Sequence, residues 1–365
     1  MKVSLRRTPL LEAVVLVERL VGKKESLPVL SCILIDVQKN VTLRATNLEA
    51  GIEVGVVGEV IAHGVVAVPA NILSQTLRAI TSENMTLSND EGNLLIEAQG
   101  TRTLIKTVSS SEFPKLEPAA DLQTIHIVRE KLLLGLQGVV YAASPSMIRP
   151  ELGSVFVKFS TTDPLICVAT DSFRLAEKTI SKATEGTGEV LIPLKHTQEI
   201  IHILEHLKDE YVDISVDDVQ MVIKGGNVRF LSRVVDGQFP DYKTIIPKES
   251  TTEVTLLKND LTDVLRKARV FSNKEQQVGF HIYPKRKIFT ATAQSQEVGE
   301  MSDSIDAALT GEDLDINFHI GYVADCISHL TTDSIVMSFS GVGRPLIIRP
   351  VGDMSYTYLV MPLNR

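Results

Sequence analysis

One layout recurs three times along this 365-residue chain. A strand-like run, a proline and an apolar-striped stretch read Val65-Val66-Ala67-Val68-Pro69-Ala70-Asn71-Ile72-Leu73. The layout returns at Glu189-Val190-Leu191-Ile192-Pro193-Leu194-Lys195. It returns again, without the proline, at Ile316-Asn317-Phe318-His319-Ile320-Gly321-Tyr322. Pro69 and Pro193 lie 124 residues apart. Ala45-Thr46, Ala169-Thr170 and Ala291-Thr292 step by 124 and 122, and Phe113-Pro114, Phe239-Pro240 and Met361-Pro362 by 126 and 122. Solenoid repeats run to roughly 20–50 residues, so this period is too long for one. It has the size of a small domain. The spacing therefore predicts one domain used three times, over 1–120, 121–249 and 250–365.

Each repeat opens with a helical pattern. In the first, Pro9 suits an early helix position, and Leu10, Leu11, Val14 and Val15 share one side. The second runs Arg129 to Val140 and the third Lys258 to Val270. Strands follow: Leu30 to Val37 and Val41 to Ala45 around Gln38-Lys39-Asn40, then Ile52 to Val57. The second copy gives Ser154 to Phe159, Leu165 to Ala169 and Leu175 to Ile180. A second helix comes after the marker: Ile72 to Ile80, Thr197 to Leu207, Tyr322 to Leu330. Its stripe is clearest at Ile200, Ile201, Leu204 and Leu207. A meander closes the repeat, with turns at Asn89-Asp90-Glu91-Gly92-Asn93, Gln99-Gly100, Asp217-Asp218 and Gly225-Gly226-Asn227. Polar, proline-bearing linkers are expected at 117–121 and 247–252. Helix, strands, helix, strands describes an α+β domain with two helices on one face of an antiparallel sheet.

Composition narrows the function. No run approaches the roughly 18–20 apolar residues of a membrane span. The start lacks a signal peptide's apolar core and cleavage site. Cys32, Cys167 and Cys326 lie far apart and read as buried thiols in a reducing compartment, so a cytoplasmic protein is expected. Net charge is −8. A protein that grips duplex DNA by neutralising phosphates usually carries a basic surface. Any contact with nucleic acid must then use a local positive face, or geometry.

Four stretches carry a family resemblance: Leu27-Pro28-Val29-Leu30, Ala169-Thr170-Asp171-Ser172-Phe173-Arg174-Leu175-Ala176, Val235-Asp236-Gly237-Gln238-Phe239-Pro240-Asp241-Tyr242, and Val360-Met361-Pro362-Leu363. In order, spacing and coverage of the whole length, the chain resembles the bacterial sliding clamps, the β subunits of DNA polymerase III. The resemblance implies a head-to-tail dimer of three-domain chains closed into a ring. Twelve inner helices would face duplex DNA and the sheets would form the outer layer. The mechanism would be topological: the ring encircles DNA, without sequence specificity, and tethers a polymerase for processive synthesis. No cofactor and no catalytic site are implied. The partners implied are the polymerase III α subunit, the clamp loader, and other polymerases and repair proteins that carry a short linear peptide.

That peptide's groove, carried over position by position, comprises Leu152, Thr170, Ser172, Phe173, Arg174, Leu175, Pro240, Thr244, Ile245, His319, Tyr322, Pro345, Val360, Met361, Pro362 and Leu363. The set is mostly apolar with a few polar handles. Plain core packing is the competing reading for the apolar members, and a structural ion pair for Arg174. The chain departs from familiar members at Ser172, where glycine is usual, and at Phe173, often histidine. It departs also at Thr244, often basic, and at His319, often asparagine. Two aromatic residues near Pro150 and Glu151, linked to DNA contact in some members, are missing. Lys24, Arg78 and Lys195 are the DNA candidates, against the reading of solvated charge. Asn71 stands where a basic residue is familiar. The dimer seam should join Val270 and Phe271 to the edge at Thr103, Leu104 and Ile105, unless Phe271 packs within its own domain.

Two rival readings stand beside the clamp. His202-Ile203-Leu204-Glu205-His206 matches H-x-x-E-H, a zinc motif of metallopeptidases. On a helix both histidines share a face, here expected on the polar side opposite Ile201 and Leu204. The pattern is short and the equivalent helices hold no such pair, so no metal site is expected. Asp171 beside Thr170 resembles an acid site only in isolation; the recurring Ala-Thr predicts a structural turn. The other rival is a repeat scaffold that binds peptides without DNA, separable by the charge on the inner helices.

Overall fold

A computed structural model describes residues 1–22, 27–116, 124–181 and 184–363. Contacts divide the chain into two units, Met1–Glu130 with Gln198–Val234, and Lys131–Thr197 with Val235–Arg365. The division cuts through the expected middle domain, because sheet ladders run from one repeat into the next. Six α-helices are present among the described residues: α1 (Arg7–Glu18), α2 (Ala70–Ala79), α3 (Arg129–Val139), α4 (Leu194–His206), α5 (Lys258–Val270) and α6 (Ile320–Asp325). They fall two to a repeat.

In the first unit, Ala50–Val56 pairs antiparallel with Val228–Arg233, with Ile52 opposite Phe230. That pairing joins the strands Gly64–Pro69, Cys32–Val37, Val41–Thr46 and Ala50–Val56 of the first repeat to the meander of the second. In the second unit, Arg174–Ile180 pairs with Tyr356–Val360, with Leu175 opposite Leu359. Again the fourth strand of one repeat, counting the strand before its first helix, meets the last strand of the next. Two of the remaining sheet edges are strands in these same positions of their repeats. Thr101–Ile105 closes a five-stranded sheet in the first unit, and Gly299–Ser304 closes a four-stranded sheet in the second.

The marker proline ends its strand and starts its helix. Pro69 is the last residue of Gly64–Pro69 and the N-cap of α2, with ψ at 120°. Pro193 ends Gly188–Pro193 just before α4. In the third copy His319 takes this place, and its Nδ1 accepts the Tyr322 N–H at 3.3 Å, capping α6. The short α6 stops at Asp325, and the expected run to Leu330 finishes as a 3₁₀ turn over Ile327–His329.

Ala-Thr is a turn in two copies. Thr46 Oγ1 accepts the Leu48 N–H at 3.1 Å and donates to the Ala50 carbonyl at 2.8 Å, while Asn47 Oδ1 takes the N–H groups of Glu49 and Ala50. Thr170, Asp171, Ser172, Phe173 and Arg174 repeat this bond for bond. Ala291-Thr292 does not. It lies inside Ile288–Ser295, which runs on to turn at Ser295, and Thr292 Oγ1 bonds the His281 ring at 2.9 Å.

Helix stripes differ in detail from the spacing. α1 buries Leu10, Ala13, Val14 and Val17, leaving Leu11 and Val15 half-buried. α4 buries Ile203 instead of Ile201, which turns His202 partly inward. Cys32, Cys167 and Cys326 are buried and unbridged as expected. Burial pushes the Cys167 thiol up to about 12. The linker expected at 247–252 is shorter, since Thr252 already pairs with Phe339. The one at 117–121 lies outside the described residues.

The third repeat's core centres on Phe280, fully buried, with its ring 5.5 Å from Phe289 and 5.8 Å from Phe318. Phe280→Ala is expected to cost about 3–5 kcal/mol, since the cavity adds to the lost transfer energy. A lowered denaturant midpoint for the transition of that region checks it.

Candidate partner-binding site

The second unit gathers most of the proposed groove around the Thr170–Arg174 turn. Asp171 is its hub. Oδ1 accepts the backbone N–H groups of Phe173 and Arg174 at 2.9 and 3.0 Å, and Oδ2 accepts Arg174 Nε at 3.0 Å. The sequence reading of Asp171 as structural therefore holds. Arg174 also pairs with Asp325, the last residue of α6, and its guanidinium lies 4.7 Å over the Tyr322 ring. Burial alone would lower the Arg174 pKa, but Tyr358, Asp171 and Asp325 outweigh it, and the net shift is upward. The structural ion pair, set against peptide contact in the sequence, is what this side chain makes.

The C-terminal segment completes the wall. The Met361 N–H donates to the Phe173 carbonyl at 2.8 Å, and the Leu363 N–H to the Asn317 carbonyl at 2.9 Å. The Tyr358 hydroxyl donates to the Tyr322 carbonyl at 2.8 Å. Phe173 is 58% exposed and stacks 6.2 Å from Tyr322, which also packs 4.3 Å from the His319 ring. An exposed aromatic ledge over a tyrosine is a surface that accepts apolar side chains.

Placement sorts the sixteen residues. Ser172, Phe173, Thr244, Ile245 and Met361 are exposed; Arg174, Pro240, His319, Tyr322, Pro362 and Leu363 are half-buried. Leu152, Thr170, Leu175, Pro345 and Val360 are buried, so the core reading describes them here. Leu175 packs with Val168, Tyr242, Ile347 and Leu359, and Tyr242 leads the 3₁₀ turn that carries Thr244 and Ile245. Tyr141 and His329 were not read from the sequence. Their rings stack at 4.6 Å, and Tyr141 lies 5.8 Å beneath the Arg174 guanidinium. Nothing in the local pattern at either position marks it.

The DNA candidates divide. Lys24 lies outside the described residues. Arg78 is exposed but held, with Nη2 3.6 Å from Glu18 and Nε on Ser74 Oγ at 3.3 Å. Lys195 is exposed in the first turn of α4. At the expected seam, Leu104 and Val270 are exposed (49% and 62%), Thr103 and Phe271 are half-buried, and Ile105 is buried. Ile105 therefore belongs to its own sheet's core, whose strand partner at that position is Leu94.

Ser172 carries φ of +77°. This is the left-handed region, which costs an L-residue about 1–2 kcal/mol. It explains why a glycine suits the position. Ser172→Gly removes that strain but returns about 0.5–1 kcal/mol of unfolded-chain entropy. The strain is the larger, so Ser172→Gly is expected to stabilise by up to about 1 kcal/mol. Ser172→Val should destabilise. Paired urea melts of the two variants check the sign.

Family models match the chain in three consecutive stretches. They are the DNA polymerase III β subunit N-terminal domain over residues 1–117, its central domain over 127–241, and its C-terminal domain over 243–364. The β sliding clamp of Synechococcus elongatus is 26% identical over 373 residues, covering 100% of this chain and 99% of that protein. That of Bacillus subtilis is 26% identical over 379 residues, with all of both chains covered. The crystal structure of the DNA polymerase III β subunit from Thermotoga maritima superposes with a TM-score of 0.94 at 27% identity, covering 100% of this chain and 99% of that one. With its three matched domains and two sheet joints of one kind, the chain belongs to the family of DNA polymerase III β subunits, the DNA sliding clamps.

Proposed function

We propose that two copies close head to tail into a ring around duplex DNA, each serving as three clamp domains, 1–120, 121–249 and 250–365. One observation carries this reading. The fourth strand of repeat one pairs with the last of repeat two, and the fourth of repeat two with the last of repeat three. The same rule leaves Gly299–Ser304 seeking the last strand of a first repeat, Thr101–Ile105 of another copy. A heterologous contact closes into a ring when its rotation closes and runs on as a filament when it does not, and two copies of three such units are the closed case proposed here. Exposed Leu104 and Val270, with Thr103 and Phe271, would line that seam.

Family membership makes the chain a non-catalytic processivity factor with DNA and polymerase partners. The H-x-x-E-H pair is therefore not a peptidase centre, and among the described residues no three His, Cys, Asp or Glu side chains are placed to hold a metal. The finer reading is that the groove around Phe173, Tyr322 and Met361 takes linear peptides from the polymerase III α subunit, the clamp loader and repair proteins, in the cytoplasm. Lys24, Arg78 and Lys195 would touch the DNA backbone.

Leu104→Asp with Val270→Asp, which sets like charges facing each other across the seam, should convert the dimer to monomer in sedimentation equilibrium. Retention on circular DNA, after loading by a clamp loader, should be lost with it. A folded double variant that stays dimeric would sink the seam.

Binding of a Gln-Leu-x-Leu-Phe-type peptide, read by fluorescence anisotropy, should vanish when Met361 to Arg365 are removed. It should also depend on pH through His319. Burial lowers this imidazole below its ordinary 6.5, with Arg174 and Arg269 acting the same way. The ring caps α6 only when Nδ1 is unprotonated. The native state thus favours the neutral form, so the cap is intact above pH 6.5. It is lost as pH falls from there through the lowered pKa. His319→Asn, which caps through an amide oxygen at every pH, should flatten the profile.

A further inference from the structure

The H-x-x-E-H residues keep a chemistry that the clamp reading does not use. His206 Nδ1 lies 2.8 Å from the His202 carbonyl one turn back on α4. A carbonyl only accepts, so Nδ1 carries the proton and the lone pair is on Nε2. Metal-binding histidines are held by this same bond from the other ring nitrogen to a backbone carbonyl. His202 Nε2 is buried and has no hydrogen-bond partner. The two rings lie 4.3 Å apart by their centroids. The two imidazoles stand one helical turn apart, the spacing at which side chains are neighbours.

We propose that His202 and His206 form a two-imidazole site for a late first-row divalent cation, zinc(II) or copper(II), with water in the remaining positions. Imidazole suits these ions, and affinity at such a site rises from zinc to copper while magnesium prefers oxygen ligands. Arg19 opposes a second cation, but Glu199 holds its guanidinium by bonds of 2.6 and 3.0 Å. Glu199 and Glu205 supply negative charge on the same helix. Among the described residues no third protein ligand converges, so the site is open, and it is a binding site without hydrolytic chemistry.

The test is calorimetric titration of the full chain with zinc chloride, then copper chloride, in a non-chelating buffer. One ion per chain is expected, copper tighter than zinc, with magnesium unable to compete. His206 is exposed, so His206→Gln leaves the fold intact, as a circular-dichroism melt will show. Losing one of two chelating arms should weaken the site on the order of 100-fold. Zinc should raise the melting temperature of the wild-type chain and leave that of His206→Gln unmoved, since only the intact pair binds the folded helix preferentially. Unchanged affinity in His206→Gln overturns the proposal. So does loss of binding only when His126 or His281, each beside an aspartate, is substituted instead.

Discussion

Backbone hydrogen bonding at strand edges governs this protein. Each edge strand presents a row of N–H and C=O groups that must find partners or water. The chain solves the problem twice with one rule, pairing the fourth strand of a repeat with the last strand of the next. Among the edges left over, Thr101–Ile105 and Gly299–Ser304 are the two kinds of strand that the rule would join. Neither holds a proline, the usual blunting device. A second copy would extend the same ladder, so the means of closure is built into the repeat rather than added by a separate interface.

The partner site grows from one of these joints. In the first unit the joint is extended by the Arg233 N–H donating to the Glu49 carbonyl at 2.8 Å. In the second the Met361 N–H donates to the Phe173 carbonyl at the same distance. The scaffold is the same; the side chains are not. Where the first unit has Asn47, Leu48, Glu49 and Ala50, the second has Asp171, Ser172, Phe173 and Arg174. Aspartate for asparagine and arginine for alanine create the ion pair that orients Tyr322 through the cation held 4.7 Å above its ring. Phenylalanine for glutamate supplies the apolar ledge. Four differences in side chain on one turn separate the candidate site from its counterpart in the first unit.

The repeat, the helices and most strands were legible because local signals set them. Proline ends a strand and starts a helix wherever it falls, and apolar spacing marks the buried face. Ala291-Thr292 misled because the marker matched while its hairpin ran three residues longer, and the turn fell at Ser295. Ile201 and Ile203 exchanged places because two isoleucines flank the stripe, and only packing against the sheet chooses between them. The candidate site was named through family resemblance, and the contacts that hold its residues were not legible in the sequence. Arg174 meets Asp325 across 151 residues of sequence, and Tyr141 meets His329 across a longer span still. No window on the sequence contains such a pair.

Charge completes the picture of a protein that holds DNA by enclosure. The net charge of −8 would defeat a protein that relied on phosphate contacts. Several helical cations are already partnered: Arg78 with Glu18, Arg19 with Glu199, Arg266 with Asp263, Lys267 with Asp303. Exposed pairs of this kind contribute little to stability, typically about 0–1 kcal/mol. A carboxylate beside a cation weakens that cation's pull on a phosphate without removing it. Shallow, exchangeable contacts suit a ring that must slide. A strongly basic lining would raise affinity at every step and slow movement along the duplex, while enclosure already prevents loss. The acidic balance of the chain and its closed-ladder architecture therefore answer the same requirement.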